Sequence, residues 1–347
     1  MARQKRSDNE GYDLLRRELK EGVFRPLYIF YGEEDYLREN YRKQLRTKTV
    51  SGPAEDFNYH RFTEENWDIA AFSEAMEAIP MMSERSLVEV VDVDPFSRPE
   101  GERQQLAELF AALPEYCTVL YVYDTAAWKP DKRMKKLWSA LEAAALQVEF
   151  PRQSEGQLVP WVRRHLHAGQ KVMADDLIRY LILLTGGSMT TLAAELQKLI
   201  SYTDQPEITR NDVDAVVIPV MEAVIFDITR DIGRKDFDGA LGKLRDLLRQ
   251  DVEPIAVNAV IGRQLRQLYG AALLTKQGRS YYDLASLYGI RDFAAREVYG
   301  QARGFSLPML KKAMLLSART DYAMKTSSGD AGALLEMLVL HLAEESR

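Results

Sequence analysis

The turn after the apolar run PLYIFY at 26–31 is the first place where residue types and spacing could bind a nucleotide. A turn between a strand and a helix can hold phosphate when glycines let backbone N–H groups approach it and a lysine meets its charge. Here the turn reads Gly32, Glu33, Glu34 and Asp35, without lysine, serine or threonine. The carboxylates suit a helix N-terminus, where Glu34 or Asp35 is expected to cap, but they would repel a triphosphate. The sequence therefore predicts a non-functional phosphate loop.

Other reactive residue types form no recognisable constellation. Asp92 follows the apolar run at 86–91 and could hold Mg²⁺, but without a phosphate loop a structural turn residue is favoured. His165 and His167 stand two positions apart, so on a helix they point to different faces. Cys117 is the single cysteine, which excludes an internal disulfide and a four-cysteine zinc module. We therefore predict no catalytic site, no metal and no cofactor.

The segments that position these residues alternate between strand and helix up to residue 150. Short runs rich in Val, Tyr and Ile predict strands at 26–32, 57–62, 86–93, 117–124 and 146–150, and the intervening segments have helical patterns. Such alternation predicts βαβ crossovers and a parallel sheet covered by helices on both faces. The predicted fold of this part is α/β.

From Pro151 onward the strand pattern disappears and apolar residues recur every three or four positions. Ser188 is predicted to cap one helix, and Thr209 with Asp212 to form the capping box of another. The chain is thus predicted to comprise an α/β domain at 1–150, a small all-α domain at 151–219 and a larger all-α domain at 220–347.

Length and charge agree with a multidomain protein that does not coat nucleic acid by charge alone. The 347 residues exceed what one hydrophobic core usually supports, and the net charge is −6. No apolar run is long enough for a membrane span, and the single cysteine favours a cytoplasmic location.

One basic string interrupts the acidic first domain and consists of Lys129, Lys132, Arg133, Lys135 and Lys136. Of these, Lys132, Lys135 and Lys136 are predicted to share a helical face. The string is either a solvated surface or a contact for DNA phosphates or an acidic partner.

The chain resembles the delta subunit of bacterial DNA polymerase III, a clamp-loader component. The resemblance rests on seven segments in the family's order: PLYIFYGEEDYL at 26–37, AIPMMSERSLVEV at 78–90, KPDKRMKKLW at 129–138, GGSMTTLAAELQKLISY at 186–202, AVIFDITRDIGRKDFDGALGKLRDLL at 223–248, EPIAVNAVIGRQLRQLY at 253–269 and DYAMKTSSGDAGALLEML at 321–338. Each segment alone is a weak signal, but their order spans most of the chain.

The resemblance implies a degenerate AAA+ module followed by a helical collar, in a subunit without enzymatic activity of its own. Its implied partners in DNA replication are the beta sliding clamp, the tau or gamma ATPase subunits, the delta-prime subunit and, through the complex, primed DNA. The implied clamp-binding element is a short apolar helix at Ile79, Pro80, Met81 and Met82. The family commonly has Leu-Phe or Phe-Phe where Met81 and Met82 stand.

Local patterns lead to a similar expectation for the methionine pair. Phe72, Met76 and Ile79 share a helical face, and Pro80 should end that helix at Ile79. At least one of Met81 and Met82 should then be exposed at the tip of a connection; the alternative is that both pack against the next strand. Three other functions stay open at this point: a subunit like delta-prime, an AAA+ ATPase with an atypical nucleotide site, and a helical scaffold unrelated to replication.

Overall fold

A computed structural model describes residues 10–50, 52, 55–250, 252–327 and 329–345. The chain forms two compact units, Met1–Arg152 and Gln153–Arg347. Their boundary lies two residues from the predicted end of the α/β domain at 150. The further division of the second unit at 219 stays a prediction.

The first unit is built on a five-stranded parallel sheet, as predicted. Its strands are β1 (Leu27–Tyr31), β2 (Tyr59–Phe62), β3 (Ser86–Val91), β4 (Cys117–Val122) and β5 (Ala145–Glu149). The spatial order is β2-β3-β4-β1-β5, and every pairing is parallel. All residues of β3 and β4 are buried, because helices cover both faces of the sheet.

The helices of this unit are α1 (Glu10–Glu21), α2 (Asp35–Thr49), α3 (Glu55–Asn58), α4 (Ile69–Glu77), α5 (Glu100–Ala111) and α6 (Lys135–Ala144). Leu15 and Leu45, from α1 and α2, belong to the apolar core on one face of the sheet. Phe72, Phe110 and Leu137, from α4, α5 and α6, belong to the core on the other face. The predicted α/β architecture is therefore confirmed.

Most element boundaries differ from the sequence predictions by one or two residues, and three of the differences have a local cause. The strand predicted at 57–62 begins only at Tyr59, because α3 occupies the preceding residues. The helix expected to reach Ile79 ends at Glu77, since Ala78 is already extended. The helix predicted to contain Lys132 begins only at Lys135, because the Asp131 carboxylate accepts hydrogen bonds from the backbone and guanidinium of Arg133 and stabilises a turn.

The second unit is helical, as predicted. Its helices are α7 (Glu155–Ala168), α8 (Asp175–Leu184), α9 (Met189–Tyr202), α10 (Arg210–Val216), α11 (Met221–Gly233), α12 (Phe237–Leu248), α13 (Pro254–Lys276), α14 (Tyr281–Tyr288), α15 (Asp292–Gln301), α16 (Leu307–Thr326) and α17 (Ala331–Glu345). The Ser188 cap and the capping box of Thr209 and Asp212 are confirmed. In the part of the chain that the structure describes, no helix is both long and apolar enough to span a bilayer.

Helix α2 is fixed to the sheet by an ion pair inside the first unit. Glu89, in the middle of β3, is 1% exposed, and Arg42 of α2 binds both of its carboxylate oxygens at 2.5 and 2.9 Å. The Tyr59 hydroxyl donates to the same carboxylate at 3.0 Å, and Arg61 lies 3.3 Å from it. A carboxylate at this depth is tolerated because its charge is matched and hydrogen-bonded.

Replacing Arg42 with methionine should therefore destabilise the protein strongly. Glu89 would stay buried, and its charge would be balanced only by Arg61, whose side chain is half exposed. We expect the free energy of unfolding to fall by about 3 kcal/mol, as is typical when a buried pair loses one partner. Denaturant unfolding measures this. Lys43→Met on the same helix is the matched control and should change stability by less than about 0.5 kcal/mol, since the Lys43–Glu39 pair is exposed. Equal effects of the two substitutions would contradict the conclusion that the Arg42–Glu89 ion pair fixes α2 to the sheet.

Candidate functional site

The turn at Gly32 packs against the end of β5, and one of its backbone amides is hydrogen-bonded there. Gly32 has φ of +118°, and a Cβ there would lie 2.5 Å from the Phe150 carbonyl oxygen. The Glu34 N–H donates to that same oxygen at 2.9 Å, and the Phe150 N–H donates to the Tyr31 carbonyl. The glycine thus permits close packing against the end of β5, and the Glu34 amide is already bonded to the backbone.

A buried arginine neutralises the carboxylates near this turn. Arg38, one turn into α2, is 3% exposed. Its guanidinium donates to the Gly32 carbonyl at 2.5 Å, to Asp35 at 2.8 Å and to Asp124, just after β4, at 3.0 Å. Glu33 pairs with Arg152 at 2.5 Å. The expected side-chain cap is wrong: Glu34 occupies the N-cap position of α2 without a side-chain capping hydrogen bond.

Asp92, the candidate magnesium ligand at the end of β3, is a structural turn residue. Its carboxylate accepts hydrogen bonds from the Thr125 hydroxyl at 2.7 Å and from the N–H groups of Asp124, Thr125 and Ala126 at 2.8–3.1 Å. Partial burial acts to raise the pKa of Asp92, but these donors outweigh it and lower the pKa. The carboxylate therefore joins the ends of β3 and β4.

The remaining reactive side chains also have structural surroundings. The Nδ1 atom of His165 lies 3.2 Å from the Trp161 carbonyl oxygen, and the two rings pack 4.0 Å apart. Burial raises the pKa of the Cys117 thiol to about 11, as for a small core residue. Among the described residues, no group of three or more His, Cys, Asp or Glu side chains could hold a metal ion.

The loop between α4 and β3 presents apolar side chains to solvent. Ile79 is 83% exposed, Met81 51% and Met82 90%. The expectation that at least one methionine is exposed is confirmed, and the alternative in which both pack against β3 is wrong. Ile79, expected on the buried face of α4, projects outward because the helix ends before it. Residues 81–84 form bends, so the short helix that the resemblance implies is replaced by an irregular loop.

Hydrogen bonds to the backbone fix this loop. The Asn58 amide donates to the Met81 carbonyl at 2.8 Å, and its Oδ1 accepts from the Met81 N–H at 2.7 Å. The Tyr116 hydroxyl donates to the Glu77 carbonyl at 2.9 Å, where the loop leaves α4. Met82 has φ of +51°, in the left-handed region that is uncommon outside glycine. The exposed side chains therefore stand on a backbone of defined shape.

Sequence reasoning missed the part that Asn58 plays in this loop. The residue was assigned to a strand, whereas it ends α3 and lies 23 positions before its partner. Asn58 is one of three polar residues in the segment FNYHRF at 57–62, so its residue type does not single it out. Its partner is a backbone group, which no side-chain pattern identifies.

Two of the five side chains in the basic string at 129–136 form ion pairs within the protein. Arg133 pairs with Asp131 at 2.7 Å, and its hydrogen bonds lower the pKa of Asp131 to about 2. Lys136 pairs with Glu108 at 2.9 Å, and the Lys132 ammonium lies 4.8 Å from the Trp138 ring centroid. The predicted common helical face of Lys132, Lys135 and Lys136 is wrong, because Lys132 precedes the start of α6.

Two family models match the chain. One, described as DNA polymerase III, delta subunit, covers residues 28–150, and the other, described as the C-terminal domain of that subunit, covers residues 222–342. The first match contains the Gly32 turn and the methionine loop, and the second contains most of the helices from α11 to α17.

Individual relatives agree with this assignment. The chain is 29% identical to the DNA polymerase III subunit delta of Bacillus subtilis, over 95% of this chain and 96% of that protein. It is 23% identical to a probable DNA polymerase III subunit delta of Aquifex aeolicus, over 89% of each. The solved structure of the Bacillus subtilis DNA clamp loader delta protein matches with a TM-score of 0.66 at 28% identity, over 96% of this chain and 99% of that one. The chain therefore belongs to the family of the DNA polymerase III delta subunit.

Proposed function

We propose that this protein is a clamp-loader subunit that binds the beta sliding clamp and opens it during replication. The observation that carries the proposal is the loop in which Ile79, Met81 and Met82 are exposed on a fixed backbone. Exposed apolar side chains grouped on one loop are typical of a binding anchor. Methionine suits this part because its flexible thioether side chain adapts to an apolar pocket.

We further propose that the subunit contributes no catalysis of its own and depends on the tau or gamma ATPase subunits. The support is chemical. The Gly32 turn has no lysine and no Ser or Thr, and the Arg38 guanidinium there is bound by Asp35 and Asp124. A phosphate would have to displace these carboxylates and be desolvated beside Glu33 and Glu34. This argument favours a binding subunit over an atypical ATPase.

The helices at 220–347 are proposed to form the collar that assembles with the ATPase subunits and the delta-prime subunit. Apolar side chains on several of these helices are about half exposed or more, namely Leu287, Leu315, Met337 and Leu340. Such residues are available to pack against neighbouring subunits. A scaffold unrelated to replication would not account for the methionine loop in the first unit.

A contact between the basic string and primed DNA stays a proposal. Lys129, Lys132 and Lys135 are the members to which it now applies, because they are exposed and form no ion pair within the described part of the chain. Arg133 and Lys136 are already matched by carboxylates. A solvated surface remains the alternative.

Millimolar ATP with magnesium should leave the melting temperature of the protein unchanged. A ligand that binds only the folded state stabilises it by RT ln(1 + [L]/Kd) and so raises this temperature, but the Gly32 turn offers no favourable contacts for a triphosphate. Thermal unfolding followed by fluorescence, with an ATPase subunit of the loader as the positive control, measures the effect. A saturable rise of several degrees would support the ATPase alternative.

The double substitution Met81→Ser, Met82→Ser should abolish clamp binding and opening without unfolding the protein. Burying one methionine in a partner contributes about 1.5–3 kcal/mol, so losing both should weaken binding by about 10²–10⁴-fold. Titration against the cognate clamp gives the affinity, and the melting temperature reports on folding.

Val23→Ser is the matched control, since Val23 is a 62% exposed apolar residue outside the loop. It should bind the clamp like the parent protein. If the double variant also binds like the parent, the methionine loop is not the clamp anchor.

A further inference from the structure

Helix α3 lies beside the methionine loop and is attached to it through one buried side chain. Asn58, the last residue of α3, is 2% exposed. Its side-chain amide donates to the Met81 carbonyl and accepts from the Met81 N–H, which is the pair of bonds that a residue on a neighbouring strand would make. The two bonds fix the position and orientation of the Met81 peptide groups relative to α3.

The other end of α3 is fixed to α2. Arg46 binds the Glu55 carboxylate at 2.8 Å, and its guanidinium carbon lies 3.7 Å from the centroid of the Tyr59 ring. An arginine placed over an aromatic face in this way is attracted by the ring. The short helix is therefore fixed at Glu55 by α2 and at Asn58 by the loop.

Phe57 is 63% exposed although it stands in this fixed helical turn. Successive residues on a helix point about 100° apart, so Phe57 can face solvent while Asn58 faces the loop. Its Cα lies about 3.8 Å from that of Asn58, whose side chain is hydrogen-bonded to Met81. Phe57 therefore adds an aromatic ring to the flank of the exposed surface formed by Ile79, Met81 and Met82.

We propose that α3 is a second part of the clamp-docking surface, with Phe57 as a further apolar anchor and Asn58 as the positioning residue of the loop. The inference rests on the proposed function of the loop, and the occupant is the same sliding clamp. Continuity with the loop and the preference of interface cores for aromatic residues support this occupant. A loop fixed before binding also loses less conformational entropy when the complex forms.

Phe57→Ser in the full-length protein tests the anchor. The clamp affinity should fall about tenfold, equivalent to about 1.4 kcal/mol, while the melting temperature stays close to that of the parent, since the ring is exposed. Val23→Ser is again the matched control and should leave the affinity unchanged. Unchanged affinity of Phe57→Ser in a titration that detects the loss caused by Met81→Ser, Met82→Ser would overturn the anchor assignment.

Asn58→Asp tests the positioning. The aspartate keeps an acceptor for the Met81 N–H but places a carboxylate oxygen against the Met81 carbonyl, which removes one bond and adds repulsion. We expect clamp affinity to fall about tenfold in the parent background. In a Met81→Ser background, where binding is weakened but still measurable, the same substitution should have a much smaller effect, because Asn58 acts through the side chain that this background lacks.

This double-mutant cycle separates positioning from a merely structural contribution. A loss of affinity that is equal in both backgrounds would overturn the positioning assignment, whatever happens to the melting temperature. Should Asn58→Asp fail to fold, Asn58→Ser, which is smaller and uncharged, replaces it in the same cycle. If Met81→Ser, Met82→Ser alone leaves clamp binding intact, the proposed function fails, which is a different result from failure of the α3 inference.

Discussion

A stripe of three arginines on one face of α2 is the interaction on which the first unit depends. Arg38, Arg42 and Arg46 are spaced four residues apart, so they lie one above another along the helix. They bind carboxylates on three different elements: Asp124 after β4, Glu89 within β3 and Glu55 of α3. One helix thereby fixes the turn at Gly32, the centre of the sheet and the helical turn beside the methionine loop.

The stripe also helps to satisfy the polar groups of the turn at Gly32. A turn between the first strand and the following helix leaves N–H groups and a dipole that a phosphate would satisfy. In this chain the Glu34 amide bonds to the Phe150 carbonyl, and the Arg38 side chain binds the Gly32 carbonyl. Partners within the protein thus satisfy these two groups, and the turn connects β1 and α2 to the end of β5.

The sequence was informative where local pattern decides the structure and silent where distant groups meet. Five parallel strands and the helical second half follow from apolar periodicity, and caps such as Ser188 follow from residue type. Helix α3 was missed because four residues carry too little periodicity to identify a helix. The start of α6 was misplaced because the Asp131–Arg133 interaction competes with helical hydrogen bonding. Asn58 and Met81 pair across 23 residues through a backbone that sequence alone does not position.

The exposed methionines raise the question of why the loop does not collapse onto the protein. Burial of Met82 would be favourable, by about 1.5–3 kcal/mol, if the chain could reach an apolar surface. Asn58 holds the adjacent peptide groups, and Tyr116 holds the carbonyl where α4 ends. With Glu77 and Met81 held in this way, collapse of the loop would leave the buried Asn58 amide without partners. The cost would be of the same order as the free energy gained by burying Met82. The same hydrogen bonds that keep the loop in place thus keep its apolar side chains available to a second protein.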